Sequence, residues 1–398
     1  MTAYLNKAAI NCALGSNLTQ FAENLFKAEQ LSSFFTNTDQ YSPDRVLPLG
    51  LVQSPLADVT VEGENSRNNR LLASTISPLL SDIDELKARY GSHRIGIVLG
   101  TSTSGISDGE AAVSILENGD QDASIAIDPN YDYQTQEFSA PVRFLSKWLG
   151  ISGPAWVVST ACTSGSKALA SAARLLELGV CDAVIAGGVD SLCKMTVAGF
   201  SSLMVTSEQR CNPFSVNRNG INIGEASAVF LVSKTPSDIR IAGIGETSDA
   251  YHISSPEPEG KGAKAAMLAA VRQAGIKPND VDYLNLHGTA TEHNDLMEAR
   301  AVDQVFTVHN HAIACGSTKA LTGHTLAAAG AVEALICSLS LQRNDGLLPP
   351  QVWDAQLDPA LPRLAGLGKR QLDNPAKYAL SNSFAVGGNN VSLLLARE

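Results

Sequence analysis

One cysteine and two histidines stand in sequence contexts that suit nucleophilic chemistry. Cys162 follows the apolar run 154–158 and precedes small residues typical of the first turns of a helix. Backbone N–H groups at a helix start favour negative charge, so the sequence predicts a lowered thiol pKa and a nucleophilic thiolate at Cys162. His287 lies in Asn-Leu-His-Gly-Thr-Ala-Thr, and His324 ends Ser-Thr-Lys-Ala-Leu-Thr-Gly-His. Together these residues predict an enzyme that forms a covalent acyl intermediate.

The composition limits the class of protein. The chain has 398 residues, 44% hydrophobic and 17% charged, as expected of one large folded unit or two fused halves. A formal net charge of −11 argues against a nucleic-acid partner. No apolar stretch approaches the ~20 residues that span a bilayer, and residues 8–14 resemble a first strand more than a signal sequence. Seven scattered cysteines without paired spacing indicate reduced thiols and a cytoplasmic protein.

Short apolar strands alternate with alanine-rich and leucine-rich helices along the chain. The clearest strands are predicted at residues 94–99, 183–186 and 228–232, and the clearest helices at 169–178, 262–274 and 327–341. This alternation predicts a layered α/β fold. A strand-like restart near residue 238 suggests two halves of similar plan, 1–238 and 239–398. Residues 103–140 are polar and lack a pattern, and we interpret them as an excursion or interface loop.

Several segments together resemble the elongating β-ketoacyl-acyl-carrier-protein synthases, which are condensing enzymes of the thiolase superfamily. The matching segments are 159–165, 182–188, 212–220, 287–291, 317–324, 328–333 and 382–388. The resemblance runs from about residue 8 to the C-terminus and keeps the order of the family. It implies a thiolase-like α/β fold of stacked α/β/α/β/α layers, made of two pseudo-repeated halves. The nucleophilic cysteine lies in the first half and both catalytic histidines lie in the second.

The resemblance also implies a reaction, its substrates and its partners. An acyl chain is transferred to Cys162 and then condensed with a malonyl unit, which gives a 3-oxoacyl product and CO2. Both substrates are carried on the phosphopantetheine of acyl carrier protein, so neither a separate cofactor nor a metal is expected. The implied partners are acyl carrier protein and a second subunit, which is either another copy of the chain or a related ketosynthase-fold chain.

The same resemblance assigns roles to six polar residues. His287 and His324 donate hydrogen bonds to the enolate that decarboxylation leaves, and enolate oxygens need such preorganised donors. Lys319 and Glu333 form a charge pair that organises the site, because a lone buried lysine would lack a counter-charge. Asp295 and Glu298 are expected behind the site; a solvated helix face is an equal alternative for Glu298.

A glycine-rich loop near the C-terminus is expected to complete the site. Backbone N–H groups of Cys162 and of this loop, which includes Phe384, Val386 and Gly387, would form a second oxyanion hole. Thr289 and Thr291 match positions that bind the phosphopantetheine arm in relatives. Phe200 matches an aromatic residue that lines the acyl pocket.

The loop also departs from the family pattern. Val386 stands where the family usually has a gating phenylalanine, Ala385 replaces a glycine, and Asn389 replaces a threonine. Ile221 replaces a further phenylalanine. These changes favour a specialised pathway, such as polyketide or aryl-polyene-type lipid assembly, over primary fatty-acid synthesis.

Two alternative functions stay open, and the surface that would dock acyl carrier protein has several candidate residues. A thiolase acting on CoA esters shares the fold but would carry a second catalytic cysteine in the C-terminal glycine-rich motif. A non-catalytic, chain-length-determining subunit would lack the nucleophile that this chain keeps. Because acyl carrier protein is acidic, docking needs a local basic patch, and the candidates are Arg67, Arg70, Arg143 and Lys147.

Overall fold

Strands and helices alternate through the structure, a computed structural model that describes residues 3–27, 34–118, 131–307 and 311–398. The strands are β1 (Ala3–Cys12), β2 (Thr36–Thr38), β3 (Leu47–Leu49), β4 (Ile95–Gly100), β5 (Ala155–Val158), β6 (Ala183–Asp190), β7 (Ala226–Ser233), β8 (Ile239–Ser248), β9 (Tyr283–Asn285), β10 (Ala314–Gly316), β11 (Tyr378–Phe384) and β12 (Asn389–Arg397). The helices are α1 (Leu18–Lys27), α2 (Arg67–Ile76), α3 (Leu80–Tyr90), α4 (Ile106–Asn118), α5 (Ala140–Leu149), α6 (Ser164–Glu177), α7 (Lys194–Ser202), α8 (Lys261–Gln273), α9 (Glu292–Phe306), α10 (Lys319–Thr322) and α11 (Ala329–Gln342).

One mixed sheet contains two copies of the same strand arrangement. Its order is β10-β9-β11-β12-β8-β1-β7-β6-β4-β5, so it repeats outward from the β8–β1 junction. The first strand of each half pairs with the last strand of that half: β1 pairs with β7, and β8 pairs with β12. Farther from the junction, β6 pairs with β4 in the first half as β11 pairs with β9 in the second. Strand directions also correspond, since β4 runs parallel to β5 and β6 as β9 does to β10 and β11. The predicted α/β fold of two repeats is confirmed.

Two helices form the central layer between the half-sheets. Helix α6 contacts β4 and β6 of its own half and β12 of the other, while α11 contacts β11 and β12 as well as β6 and β7. Helices α2 and α5 cover the outer face of the first half-sheet, and α8 covers that of the second, with α9 packed on α8. The layers are therefore α/β/α/β/α. Because α11 is buried over almost its whole length, its alanines let both half-sheets approach it closely.

The two central helices meet where glycine removes a side chain. A Cβ on Gly330 of α11 would lie 2.2 Å from Ser166 Oγ and 2.7 Å from Ser166 N. A Cβ on Gly165 of α6 would lie 2.8 Å from Ala331 N. This contact sets the distance between the helix that follows Cys162 and the segment that follows His324.

We expect Gly330→Ala to lower the free energy of unfolding by about 1–3 kcal/mol, because the new methyl group must push the helices apart. The matched control is Gly199→Ala in α7, where a Cβ would meet no atom within 4 Å. That control should be neutral or stabilise by about 0.5–1 kcal/mol, as glycine-to-alanine changes in helices do. Urea denaturation followed by circular dichroism measures both; equal effects would show that the helix contact is not tight.

Other sequence predictions have mixed outcomes. The interpretation of residues 103–140 as a loop is wrong for 106–118, which form α4, since its packing on α7 overrides a weak local pattern. Within that stretch, residues 119–130 lie outside the described part of the chain. The strand predicted at residues 8–14 is confirmed for residues 8–12, which belong to β1, while residues 13–14 form a turn. The proposed boundary at 238/239 falls between β7 and β8, and it stays a prediction, as does the cytoplasmic location.

All seven cysteines are buried free thiols, as their spacing indicates. Among the helices in the described ranges, none combines the length and the apolar character that crossing a membrane requires.

Candidate active site

Cys162 lies in a tight turn between β5 and α6. The preceding residue, Ala161, has a φ of +52°, in the left-handed region that residues with a Cβ rarely adopt. Thr163 Oγ1 donates to the Thr160 carbonyl at 2.7 Å, and Ser164 Oγ donates to the Ala161 carbonyl at 2.6 Å. These local bonds hold the strained turn in place. Cys162 is 4% exposed and lines a cavity.

His324 points one ring nitrogen at the thiol and the other at the backbone. Its Nε2 lies 3.1 Å from Cys162 Sγ, and its Nδ1 accepts a hydrogen bond from the Leu326 N–H at 3.1 Å. An acceptor at Nδ1 carries no proton in the neutral ring, so the contact assigns the proton to Nε2. His324 is therefore a hydrogen-bond donor toward the cavity.

Lys319 fixes His287 in the same tautomer, with the ring proton on Nε2. The Lys319 ammonium lies 3.3 Å from His287 Nδ1 and has only protons to offer, so the proton of the neutral His287 ring lies on Nε2. The backbone around this histidine is held by Glu298, which accepts the N–H groups of His287 at 2.8 Å and Gly288 at 2.7 Å. The rings of His287 and His324 are nearly perpendicular, with centroids 5.4 Å apart. Two Nε2–H donors thus share one pocket.

The electrostatics keep both rings neutral. Burial lowers the pKa of His287 and of His324 well below the usual range, and the Lys319 charge lowers both further. Each ring therefore carries one proton at neutral pH, and the contacts at Nδ1 direct that proton into the cavity.

Lys319 and Glu333 form a buried ion pair behind the histidines. Their side chains are 2% and 4% exposed, and the ammonium donates to Glu333 Oε1 and to the His287 carbonyl. Burial raises the pKa of Glu333, and the lysine charge opposes that rise. Breaking such a pair leaves an unpaired buried charge, which costs about 3–5 kcal/mol. The pair therefore holds the lysine beside His287.

The loop between β11 and β12 presents a backbone donor to the thiol. Val386 lines the same cavity as Cys162, and the backbone N–H groups of Val386 and of Cys162 itself both lower the pKa of the thiol. Gly387 and Gly388 have φ values of +90° and +79°, which a glycine adopts without strain. The turn closes through the Ala385 N–H, which donates to the Asn389 carbonyl at 2.8 Å.

The predicted low pKa of Cys162 is wrong in this enclosed site. Burial raises the pKa of the thiol to about 11, while the Lys319 charge and the backbone N–H groups of Val386 and Cys162 lower it by less. Helix-start arguments assume solvent access, and removal of water penalises the thiolate more than the N–H groups stabilise it. The thiol form therefore predominates at neutral pH.

This pKa predicts the pH dependence of Cys162 alkylation. Below about 11, each unit of pH raises the thiolate fraction about tenfold, so the iodoacetamide rate should rise with unit slope from pH 7 to 9. No inflection should appear near pH 6.5, because neither histidine gains a proton there. Mass spectrometry of the Cys162 peptide gives the rate. A plateau above pH 7 would mean a thiolate already formed.

A cavity of about 570 Å³ connects the predicted site residues. Its lining includes Cys162, both histidines, Phe384 and Val386, and also the predicted substrate residues Phe200, Thr289 and Thr291. The hydroxyls of the two threonines lie 2.9 Å apart. Val386 is 41% exposed, so this side chain does not seal the thiol from the cavity mouth.

The donor atoms of Cys162, His287 and His324 lie within 4.8 Å of one another, as the ligands of a soft metal ion would. A metal on Nε2 would move each ring proton to Nδ1. On His324 that proton would face the Leu326 N–H, and on His287 it would face the Lys319 ammonium, so in each case two donors would meet. The surrounding donors thus favour hydrogen-bond donation by both rings over metal binding.

Two further buried carboxylates, Glu298 and Asp190, accept backbone N–H groups around the site, and sequence reasoning named Glu298 alone of the two. Glu298 is fully buried, and burial raises its pKa to about 7. Asp190 was missed; it accepts the Ala327 N–H at 2.8 Å and the Thr103 N–H at 3.0 Å. It therefore ties the segment after His324 to the first half of the chain. An acidic residue that ends a central apolar strand was the available signal.

Three residues of the predicted basic docking patch form ion pairs with buried carboxylates. Arg67 pairs with the buried Glu225, and both Arg143 and Lys147 pair with the buried Glu64. These three cations neutralise carboxylates that have lost their water. The docking surface, for which Arg70 is the fourth candidate, stays a prediction.

Known proteins resemble the chain along most of its length. Residues 64–237 match the β-ketoacyl synthase N-terminal domain, and residues 239–353 match the β-ketoacyl synthase C-terminal domain. The 3-oxoacyl-[acyl-carrier-protein] synthase 2 of Staphylococcus aureus is 34% identical over 318 residues, which cover 76% of this chain and 76% of that protein.

Solved structures agree on the fold. A chain from the complex of a ketosynthase (ApeO) with its chain length factor (ApeC) from Xenorhabdus doucetiae has a TM-score of 0.91 and 41% identity, covering 100% of this chain and 98% of that one. A chain of the ishigamide ketosynthase/chain length factor has a TM-score of 0.87 at 21% identity, covering 100% and 99% of the two chains, and supports the fold alone. With both domain families matched in order, the chain belongs to the β-ketoacyl synthase family of acyltransferases.

Proposed function

We propose that the chain condenses an acyl group, held as a thioester on Cys162, with a malonyl unit on acyl carrier protein. The observation that carries this proposal is the convergence of one thiol and two neutral Nε2–H donors on one cavity. The distance of 3.1 Å between His324 Nε2 and Cys162 Sγ defines that convergence. The name of the Staphylococcus aureus relative supports substrates carried on acyl carrier protein.

The first step is transfer of the acyl group. The Cys162 thiolate attacks the thioester carbonyl of the acyl carrier, the new C–S bond forms, and the phosphopantetheine sulfur leaves and takes up a proton. Negative charge on the carbonyl oxygen is met by the backbone N–H groups of Val386 and Cys162. Since the thiol pKa is about 11, only a small thiolate fraction reacts at neutral pH.

The second step is decarboxylation of the malonyl unit. The bond to the carboxylate breaks, CO2 leaves, and the electron pair forms an enolate at the remaining thioester. His287 and His324 donate their Nε2 protons as hydrogen bonds to the enolate oxygen. Lys319 keeps His287 in the donor tautomer, with Glu333 as its counter-ion.

The third step forms the carbon–carbon bond. The enolate carbon attacks the acyl carbonyl on Cys162, the oxyanion again lies at the Val386 and Cys162 N–H groups, and the thiolate leaves. The product is the 3-oxoacyl carrier. The chain's own groups and the substrate thioesters balance this sequence, which supports a reaction without a separate cofactor. The first half of the chain supplies the cysteine, and the second half supplies both histidines.

The partners follow from the substrate and from the relatives. Acyl carrier protein would bring the phosphopantetheine arm along Thr289 and Thr291, and Phe200 would line the acyl end of the cavity. The chain from the ketosynthase and chain length factor complex supports a related ketosynthase-fold subunit as partner. The departures at Val386 and Asn389 favour a specialised polyketide or polyene pathway over primary fatty-acid synthesis.

A second candidate function is the chain-length-determining subunit of such a pair. Two observations favour it: the 41% identical chain comes from a complex of both kinds of subunit, and the gating position holds Val386. In that case Cys162 would be present but would not be acylated during turnover.

A turnover assay separates the two candidates. The chain is incubated with malonyl-acyl carrier protein and with saturated or conjugated-polyene acyl carriers of graded length, and 3-oxoacyl product and CO2 are measured. The ketosynthase proposal expects equal amounts of both products and a preference for one acyl class. No product with any acyl carrier, from folded protein, would favour the chain-length subunit.

A further inference from the structure

One side-chain contact joins the turn that carries Val386 to the helix that follows the nucleophile. Lys167 lies on α6, little more than one helical turn beyond Cys162. Its Nζ donates to Asn389 Oδ1 at 2.7 Å. Asn389 is the first residue of β12 and directly follows the turn. The contact therefore joins α6, the helix that follows Cys162, to the turn that carries Val386.

The sheet side of the turn is held by the Asp249 N–H and by Asn390 Nδ2, which donate to the Gly388 carbonyl at 2.8 and 3.3 Å. Asn389 itself pairs with Ser248 of β8. On the side that faces α6, the contact to the turn is the one between Lys167 and Asn389.

Gly387 and Gly388 have no side chains to pack, and the Val386 side chain is 41% exposed. The Ala385 N–H donates to the Asn389 carbonyl at 2.8 Å, so a shift of Asn389 moves the turn with it. The position of the Val386 N–H over the thiol thus depends on where Asn389 is held.

The Lys167 side chain has no other evident structural role. Lys167 makes no ion pair within 4 Å among the described residues, although Glu246 lies near enough to act on its charge. Glu246 instead pairs with Arg174, which lies farther along the same helix. Asn389 also stands where the family usually has threonine, and its amide reaches one bond farther than a threonine hydroxyl.

We infer that Lys167 is a positioning residue which, through Asn389, holds the Val386 N–H over Cys162 as part of the oxyanion hole. The inference rests on the proposed function for its catalytic consequence. Its structural consequence, a backbone donor held against Sγ, concerns the thiol alone and can be measured without any ketosynthase substrate.

The first test measures the thiol. The Val386 N–H stabilises the thiolate, so its displacement raises the pKa of Cys162. His287, His324, Lys319 and Glu333, which also act on this thiol, are unchanged in every variant. At pH 8, Lys167→Met should slow iodoacetamide labelling of Cys162 about tenfold, the effect of one unit of pKa. Lys167→Arg, which still donates to Asn389, should restore most of the rate.

The control is Arg174→Met, which removes a cation from the same helix but no contact to the turn, and which should leave labelling unchanged. Asn389→Thr restores the family residue and serves as the second variant if Lys167→Met folds poorly; it should reproduce the slower labelling. The double change of Lys167→Met and Asn389→Thr should be no slower than either single change, because both remove one contact. Unchanged labelling in the single variants, or additive effects in the double, would overturn the inference.

The second test measures acyl transfer. With acyl carrier substrate, Lys167→Met should lower kcat for acylation of Cys162 about tenfold and leave KM within about twofold, since the lost donor acts on the developing oxyanion. A rise in KM with unchanged kcat would contradict a positioning role. If labelling responds as expected but no variant or wild-type protein is acylated, the proposed function fails while the inference about the turn stands.

Discussion

Cys162→Ala is expected to abolish condensation, with a loss of about 10⁴-fold or more in the rate of 3-oxoacyl product formation. The chain would have no atom on which to hold the acyl group between the two half-reactions. The two histidines stay in place, so malonyl-acyl carrier protein should still lose CO2 slowly, now without coupled product. Product is followed by mass spectrometry of the carrier, and CO2 by a coupled assay.

The matched control is Cys181→Ala, a buried thiol in the core of the first half. Its removal also takes one sulfur from the interior but should leave condensation within about twofold, since it contacts no site residue. If Cys162→Ala retained substantial product formation, the covalent route would be excluded.

Replacement of either histidine with alanine should remove one donor from the enolate, at a cost of about 10²–10³ in kcat. The two variants should differ in the first half-reaction. His324 lies against the thiol, so His324→Ala should slow both acylation and decarboxylation. His287 bonds Lys319 instead, so His287→Ala should slow decarboxylation and leave acylation of Cys162 nearly unchanged.

Single-turnover acylation and CO2 release from malonyl-acyl carrier protein measure the two half-reactions separately. His93→Ala, an exposed histidine in the turn before β4, is the control and should match the unmodified protein in both. Equal loss of acylation in the His287 and His324 variants would contradict the division of roles that the geometry predicts.

Local patterns were enough to locate the reactive groups and the main elements. The break from apolar residues to small residues at Cys162 marks the strand-to-helix turn. The strands predicted at 94–99, 183–186 and 228–232 correspond to β4, β6 and β7, and their continuous apolar character is typical of strands buried on both faces. The alanine-rich helix predicted at 327–341 corresponds to α11 (Ala329–Gln342), whose Gly330 lies against Ser166 of α6.

Properties that depend on burial were harder to predict. The helix start at Cys162 suggested a low pKa, but the fold removes the thiol from water, and desolvation reverses the direction of the shift. Arg67 and Arg143 looked like surface cations, yet each meets a buried carboxylate more than 70 residues away in sequence. Neither the partner nor the burial can be read from local spacing.

The acyl-enzyme is the direct test of the central claim. The protein is mixed with an acyl carrier thioester in the absence of malonyl substrate, digested, and examined by mass spectrometry. We expect one acyl group on the Cys162 peptide as a hydroxylamine-labile thioester, and none after Cys162→Ala. Folded protein that carries no acyl group, or that carries it on another residue, would contradict the assignment of Cys162 as the nucleophile.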